Sequence, residues 1–422
     1  MFNQGLSLDQ APPISVVLRF FMSVPLFGLL LSALMGFAPI EILTPNHPLS
    51  LAAIHLMFLG IITMSMIGAL FQMQSVLGGR PIPYPVGNGW IIHTLFTIGV
   101  LSLAGAFVFD LPPLFVIAAV MLGAAVLYAA NLVLPLLFGG ITHDTLRGMR
   151  LSLIALALTA ILGIIMAVSY ANATFSPSHD TIRTSHYSLG LIGWIAPLII
   201  AVAFQVVEMF YVTTPYSPWC KQNVFRIIAG SLLLKILFLF LTLPYLWVFD
   251  MMVAALFTGF VVTTALRLRM RKRRVSDVSI WFWGMGIALL QLALIFHIGY
   301  LWSGNLLAES IALIAFSLFA LSIILGMMSK IVPFLVWFHL SAQGFMDAPI
   351  MSNVIPQNRS KGVFWLFLIT AAFAVISPLY PLALSVSGGF GAMMFTLLLA
   401  NLLGARRLYH RTLTHGTRFE QL

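Results

Sequence analysis

The chain has 422 residues, of which 61% are hydrophobic and only 8% charged, with a formal net charge of +10. Its mean hydropathy of +1.04 is more than a water-soluble core can use, which excludes a soluble domain of any class. The excess of positive charge does not mark a nucleic-acid-binding protein, because it is confined to alternate loops, as set out below.

A helix rises ~1.5 Å per residue, so about 20 apolar residues cross the ~30 Å hydrocarbon core of a bilayer. Twelve such stretches are predicted: 14–37, 51–76, 88–109, 113–138, 150–173, 185–213, 223–246, 249–268, 279–302, 308–337, 361–379 and 381–405. Alternating segments of ~10 residues, the mark of a membrane β-barrel, are absent. The predicted fold is therefore all-α: a polytopic membrane protein of about twelve transmembrane helices forming one transmembrane domain over 1–422.

In chain order, helix 1 follows a short polar arm without a cleavage-like site, so it reads as an uncleaved helix rather than a signal peptide. Helix 2 opens on His55-Leu-Met-Phe-Leu-Gly60 and runs to Gln72, and helix 6 opens on His186 and carries Gly193 and Gln205. Gly60 and Gln72 recur as Gly193 and Gln205 at an offset of 133 residues. Helix 10, Ala312 to Lys330, falls near the same phase, with Lys330 in place of glutamine. Helices 4, 8 and 12 carry Gly123-Ala-Ala, Gly259 and Gly388-Gly-Phe-Gly391, where small residues let backbones approach. Four helices return the chain to its starting side, so the pattern predicts three parallel four-helix pseudo-repeats, at about 14–138, 150–268 and 279–405. Inverted-repeat transporters are built differently. The stretch from His339 to Ser360 is the longest predicted non-membrane segment, a candidate interfacial piece.

The basic residues Arg80, Arg147, Arg150, Lys221, Arg226, the run 267–274, Arg359, Lys361, Arg406, Arg407, Arg411 and Arg418 fall on one side. Glu41, Asp110, Asp180, Asp250 and Glu309 fall on the other, with Arg183 the one base among them. The positive-inside rule then puts both termini in the cytoplasm, as expected for a bacterial inner-membrane protein. The run 267–274 reads as a topology anchor that can also touch anionic lipid heads. The single cysteine, Cys220, falls in a cytoplasmic loop. It rules out a disulfide framework and leaves any metal chemistry to histidine, methionine or carboxylate.

Ionisable groups at membrane depth are functional candidates by default. His55, His186 and His297 lie within ~10 Å of one level near the outer ends of helices 2, 6 and 9. Histidine ligates metals and haem through a neutral ring nitrogen, so this set is a candidate cofactor site. The plainer alternative is a histidine satisfied by a carbonyl or by headgroups. His93 on helix 3 and His339 past helix 10 form a possible inner ligand pair, or are interfacial. Glu208, Lys235, Gln72 and Gln205 are candidates for a proton path, or for a structural pairing in which Glu208, Lys235 and Gln72 join one another. Lys330 is close enough to the inner face to snorkel. His47, His143, His179, His410 and His415 read as loop or tail residues, with His179 a possible cover for an outer site. The 21 methionines offer soft copper ligands but are also ordinary membrane filler. No phosphate loop, nucleophile elbow, His-Glu-x-x-His or catalytic carboxylate pair is present.

The architecture, together with His55-Leu-Met-Phe-Leu-Gly60, the Gly78-Gly-Arg-Pro81 turn, and His186 with Gly190 and Gly193, resembles the NnrS family of haem- and copper-containing membrane proteins. More distantly it resembles subunit I of the haem–copper oxidases. The resemblance implies that His55 matches a low-spin haem ligand on helix 2 and His186 a copper ligand on helix 6. It implies haem, copper, an electron donor and a role in nitric-oxide metabolism or nitrosative stress. Two departures stand out: helix 7 has no histidine pair, and the outer half of helix 10 has no His-x-His. An intact oxygen-reducing binuclear centre is therefore not implied, and His297 is the candidate replacement ligand. The expectation is a haem- and/or copper-binding membrane protein, an oxidoreductase of the haem–copper type if it turns over. The alternatives are a polytopic transporter and an assembly partner of a respiratory complex.

Overall fold

The computed structural model describes residues 10–138, 144–272 and 277–418. It contains twelve helices long and apolar enough to cross a membrane, as the hydropathy predicts: α1 Ile14–Phe37, α2 Pro48–Gly78, α3 Pro85–Phe109, α4 Pro112–Phe138, α5 Asp144–Asn172, α6 His179–Tyr211, α7 Pro218–Phe240, α8 Trp247–Arg269, α9 Val278–Ser303, α10 Leu306–Ala342, α11 Gln357–Ile376 and α12 Leu382–His415. Among the described residues the one β-type pairing is an isolated bridge between Phe345 and Arg418. The protein is an all-α, multi-pass membrane protein.

Helix ends follow local chemistry. Ser217 accepts from the backbone N–H of Cys220 at 3.2 Å, and Pro218 opens α7. Cys220 thus lies in the first turn of α7, not in a loop. Tyr84 and Asp110, at φ of 43° and 51°, bracket α3, and Val212 at φ 51° ends α6. Helix α7 stops at Phe240, six residues short of the hydropathy boundary, because Thr242 and Tyr245 turn left-handed around Pro244. Helix α12 runs ten residues past its apolar stretch, which puts His410 and His415 in a helix rather than a tail.

The segment after α10 also differs from expectation. Helix α10 continues to Ala342, so His339 is helical. The following loop is tied to the end of α12: Thr417 N–H donates to Asp347 Oδ2 at 2.9 Å, Met346 N–H donates to Thr417 O at 3.0 Å, and Arg418 lies over the Phe345 ring at 4.7 Å. It is a latched loop, with one short helix at Met351–Val354. His143, Arg273 and Arg274 lie outside the described residues.

Two compact units are present. One holds α3 to α8, the end of α2 from Leu70, and Ile287–Phe316; the other holds α1, α2 up to Ala69, Ser276–Gly286 and Ser317 onward. These divisions cut through α2, α9 and α10 and do not follow the pseudo-repeat boundaries.

Three glycines at the 133-residue spacing pack alike. A Cβ added at Gly60 of α2 would stand 2.7 Å from the Phe27 ring of α1. One at Gly193 of α6 would stand 2.7 Å from Ala155 of α5, and one at Gly326 of α10 would stand 2.6 Å from Phe282 of α9. Gly60, Gly193 and Gly326 are spaced by 133 residues twice over. In each pseudo-repeat, the second helix therefore meets the first at the same glycine. The third repeat is aligned by Gly326, not by the match of Lys330 to glutamine. A second signature joins the first two repeats: π-helical turns at Leu56–Thr63 and Leu189–Ile195, again starting 133 residues apart. Such turns are rare and concentrate at functional sites.

Small residues also join α1 to α12. A Cβ at Gly388 would stand 2.6 Å from the backbone oxygen of Ser32, and one at Gly391 would stand 2.9 Å from Ser32 Oγ. Gly123 packs on Ile164, whereas Gly259 and Gly389 have no atom within 4 Å of an added Cβ. These two glycines do not serve close packing. The contrast between neighbours yields a prediction. Gly388→Ala drives a methyl into a backbone carbonyl and is expected to destabilise the protein by about 1–3 kcal/mol, the usual range for overpacking. Gly389→Ala is expected to leave stability unchanged or raise it slightly. Thermal unfolding of both variants in detergent checks this.

Candidate functional site

A neutral imidazole has one N–H donor and one lone-pair nitrogen, and in a membrane helix the N–H must find an acceptor inside the protein. His55, the last residue before the first π-helical turn, meets its own helix: Nδ1 lies 2.7 Å from Leu51 O. His186, three residues before the second π-helical turn, meets the neighbouring helix: Nδ1 lies 2.9 Å from Thr159 O of α5. A carbonyl can only accept, so Nδ1 carries the proton in both rings. Nε2 is then the lone-pair nitrogen, the tautomer a metal or haem iron requires. Gly163 makes room for the second ring, since a Cβ there would stand 3.1 Å from His186 Cε1. Both rings are half-buried. His55 and His186 belong to different compact units, and each is described within its own.

The remaining predicted residues are distributed as follows. His297, on α9, has Asp250 and Lys235 as charged neighbours, and its ring lies 6.4 Å from Tyr300. His93 is half-buried on α3. His339 packs edge-on against Phe338 at 5.3 Å, and its Nε2 is buried without a hydrogen-bond partner. His47 accepts from the Leu49 N–H at 3.2 Å and caps α2. His179 sits in an aromatic cluster, 4.8 Å from Phe175 and 6.1 Å from Tyr170. Among the described residues, no three His, Cys, Asp or Glu gather into a group able to hold a metal ion.

The candidate proton-path residues do not pair with one another. Glu208 bonds the Lys221 ammonium at 2.8 Å and accepts from the Tyr216 N–H at 2.8 Å. Burial pushes the Tyr216 phenol well above its ordinary range. Its hydroxyl bonds Thr264 at 2.9 Å, and Arg267 stacks on its ring at 4.3 Å and donates to Pro215 O at 2.8 Å. Arg267, counted with the basic run, is thus pinned onto the α6–α7 loop. Gln72 is buried with Oε1 unpartnered, and Gln205 is half-buried.

Lys235 donates to Asp250 Oδ1 at 2.6 Å, with the two residues 8% and 6% exposed. Asp250 was expected among outer-loop acids; it lies in the first turn of α8. The signal was present in the sequence: Lys235 and Asp250 sit at similar distances from the short α7–α8 turn, so an antiparallel hairpin brings them level. Lys330 pairs with Asp277, whose Oδ1 also accepts from Ser279 N–H at 2.9 Å and Ser279 Oγ at 2.7 Å. Lys330 is therefore an ion-pair partner as well as a near-surface lysine. Asp277-x-Ser279 at the start of α9 is a legible capping pattern that the sequence reading did not use.

No protein-family model matches the chain, and no curated protein matches it at a significant level.

The Asp277 pair predicts a pH dependence. Burial alone would push this carboxyl up; its hydrogen bonds to Lys330 and Ser279 outweigh burial and hold it below the ordinary carboxylate range. A depressed folded-state value means the pair stabilises the protein above the unfolded carboxylate range, and this contribution is lost as pH falls through the depressed value. Thermal stability in detergent is expected to drop on acidification. Asp277→Asn should remove that part of the drop and lower stability at neutral pH.

Proposed function

We propose that this protein is a haem-binding, multi-pass protein of a bacterial inner membrane, with His55 and His186 as axial-ligand candidates. The observation that carries the reading is the Nδ1–carbonyl hydrogen bond made by each ring, which fixes the lone pair on Nε2. Each ring also stands beside a π-helical turn. The donor set fits haem, where the protein supplies one or two ligands and the porphyrin the rest. Among the described residues no three-residue group that could hold a copper ion is present, and this reading is confined to haem. His297 is left out of the ligand set, because its charged neighbours Asp250 and Lys235 give the ring a different task.

When bound, haem would supply reversible one-electron chemistry and an iron able to bind a small diatomic such as nitric oxide. The protein's own part is to hold each imidazole in one tautomer and one orientation. Leu51 O does this for His55. Thr159 O and the gap at Gly163 do it for His186. The alternation of basic and acidic loops supports cytoplasmic termini.

The test is a pair of substitutions in cells replete in haem. His55→Ala and His186→Ala are each expected to abolish or shift the Soret and α absorbance of the purified protein. Thr159, whose hydrogen bond with His186 is made by its backbone oxygen, serves as control: Thr159→Val should keep the spectrum. Unchanged spectra in both histidine variants would remove these residues as ligands, and a colourless wild type would favour a transporter.

A further inference from the structure

The buried pair of Lys235 and Asp250 is not used by the haem reading, and it is the group in the molecule hardest to explain as filler. Lys235 lies five residues before the end of α7 and Asp250 three residues after the start of α8. That places Lys235 ~8 Å inside the helix end. Removing two charges from water is unfavourable even when they pair, and an apolar pair of the same volume is often as stable. A pair kept at membrane depth therefore points to use.

Its hydrogen bonding is incomplete. An ammonium has three protons and a carboxylate about four acceptor sites. Among the described residues, Lys235 Nζ to Asp250 Oδ1 is the one hydrogen bond either side chain makes. One turn along the same face of α7, Ser231 is 2% exposed and its Oγ has no partner. Buried polar groups left short in this way are commonly completed by water. Lys235, Asp250 and Ser231 thus form a polar, hydratable seam inside an apolar bundle.

Titratable groups on the helices around the seam lie within electrostatic reach of it or of one another. His297 on α9 has both Asp250 and Lys235 as charged neighbours. Tyr187 on α6 has Asp250, Glu309 and Arg183 as neighbours, and Tyr300 on α9 has Glu309 and Tyr187. Arg183 pairs with Asp180, which is 84% exposed, and Glu309 lies in the first turn of α10. The other charged groups on α7 and on the helices packed against it sit toward the opposite ends: Asp144, Arg147 and Arg150 on α5, Glu208 on α6, Lys221 and Arg226 on α7, and Arg267 and Arg269 on α8. His186 on α6 is committed to Thr159 O.

We propose that Asp250, held by Lys235 and flanked by His297, is a proton-exchange site, loaded from the surface where α9 and α10 meet by way of Glu309 and Tyr300. A proton delivered from water at Glu309 passes to the His297 imidazole or the Asp250 carboxylate. It leaves by the reverse route, with Lys235 remaining an ammonium throughout. No bond other than those to the proton is made or broken. The inference is independent of haem binding.

Infrared difference spectroscopy of the full-length protein in lipid vesicles, titrated with acid, tests it. A protonated-carboxyl C=O band is expected to grow on acidification and to shift in heavy water, as an aqueous-accessible group must. Asp250→Asn should abolish it. Lys235→Met should raise its midpoint by about 1–3 pH units, the usual effect of losing one adjacent opposite charge. His297→Gln should shift the midpoint as well. Should Asp250→Asn fail to fold, Asp250→Glu must move the band's frequency. A band unaltered by both substitutions at Asp250, or no carboxyl titrating before the protein unfolds, would overturn the proposal and leave the pair a structural brace.

Discussion

A polar group inside a bilayer has no water to fall back on, so the protein must supply its partner. This one constraint accounts for most of the ordered chemistry in the molecule. Ser65, Thr159 and Thr370 donate to the carbonyl four residues back, at 2.6, 2.7 and 2.8 Å. His55 and His186 turn Nδ1 onto a carbonyl. Lys235 finds Asp250, and Lys330 finds Asp277. For these three hydroxyls the partner lies within one helical turn. For histidine, satisfying one ring nitrogen defines what the other can do. For the lysines the solution requires a second helix, which ties function to tertiary register.

The glycine spacing shows how such register is maintained. Without a hydrophobic drive between helices in lipid, close packing at small residues does much of the holding. Gly60, Gly193 and Gly326 each admit a side chain from the preceding helix of their pseudo-repeat. π-helical turns span the first two of these positions. The third, α10, is α-helical throughout and carries Lys330 instead. Two of the three glycine positions thus lie in a π-helical turn preceded by a histidine, and the third lies in regular α-helix.

All twelve helices were legible in the sequence because bilayer thickness imposes a length and hydropathy that no soluble helix shares. Their ends were less so. Hydropathy stops at the last apolar residue, whereas α12 continues through Arg406, Arg407 and Arg411 to His415. Apolar residues alone also extended α7 through Leu243, where the backbone in fact turns. The offset of 133 was readable at Gly60 and Gly193, but Gly326 was hidden behind the more conspicuous Lys330. The histidines were visible as residues out of place, though not their carbonyl partners. Thr159 is 27 residues from His186 in sequence, and nothing local points to it. Asp250 was counted with the loop acids because its proximity to Lys235 appears only once α7 and α8 are folded back as a hairpin. Charge pairs between helices are tertiary facts, and a pattern read along one strand of sequence does not contain them.

The proposed haem ligation and the proposed proton-exchange site would together make a membrane protein able to couple a redox or gas-binding centre to the proton balance of one face. The first half of that account rests on haem being present. The most direct measurement is the haem content of the purified wild-type protein from haem-replete cells, by pyridine haemochrome assay alongside total iron. Haem and iron present in equal amounts and stoichiometric with the chain are the result predicted. Protein that is folded, monodisperse and free of both would contradict it.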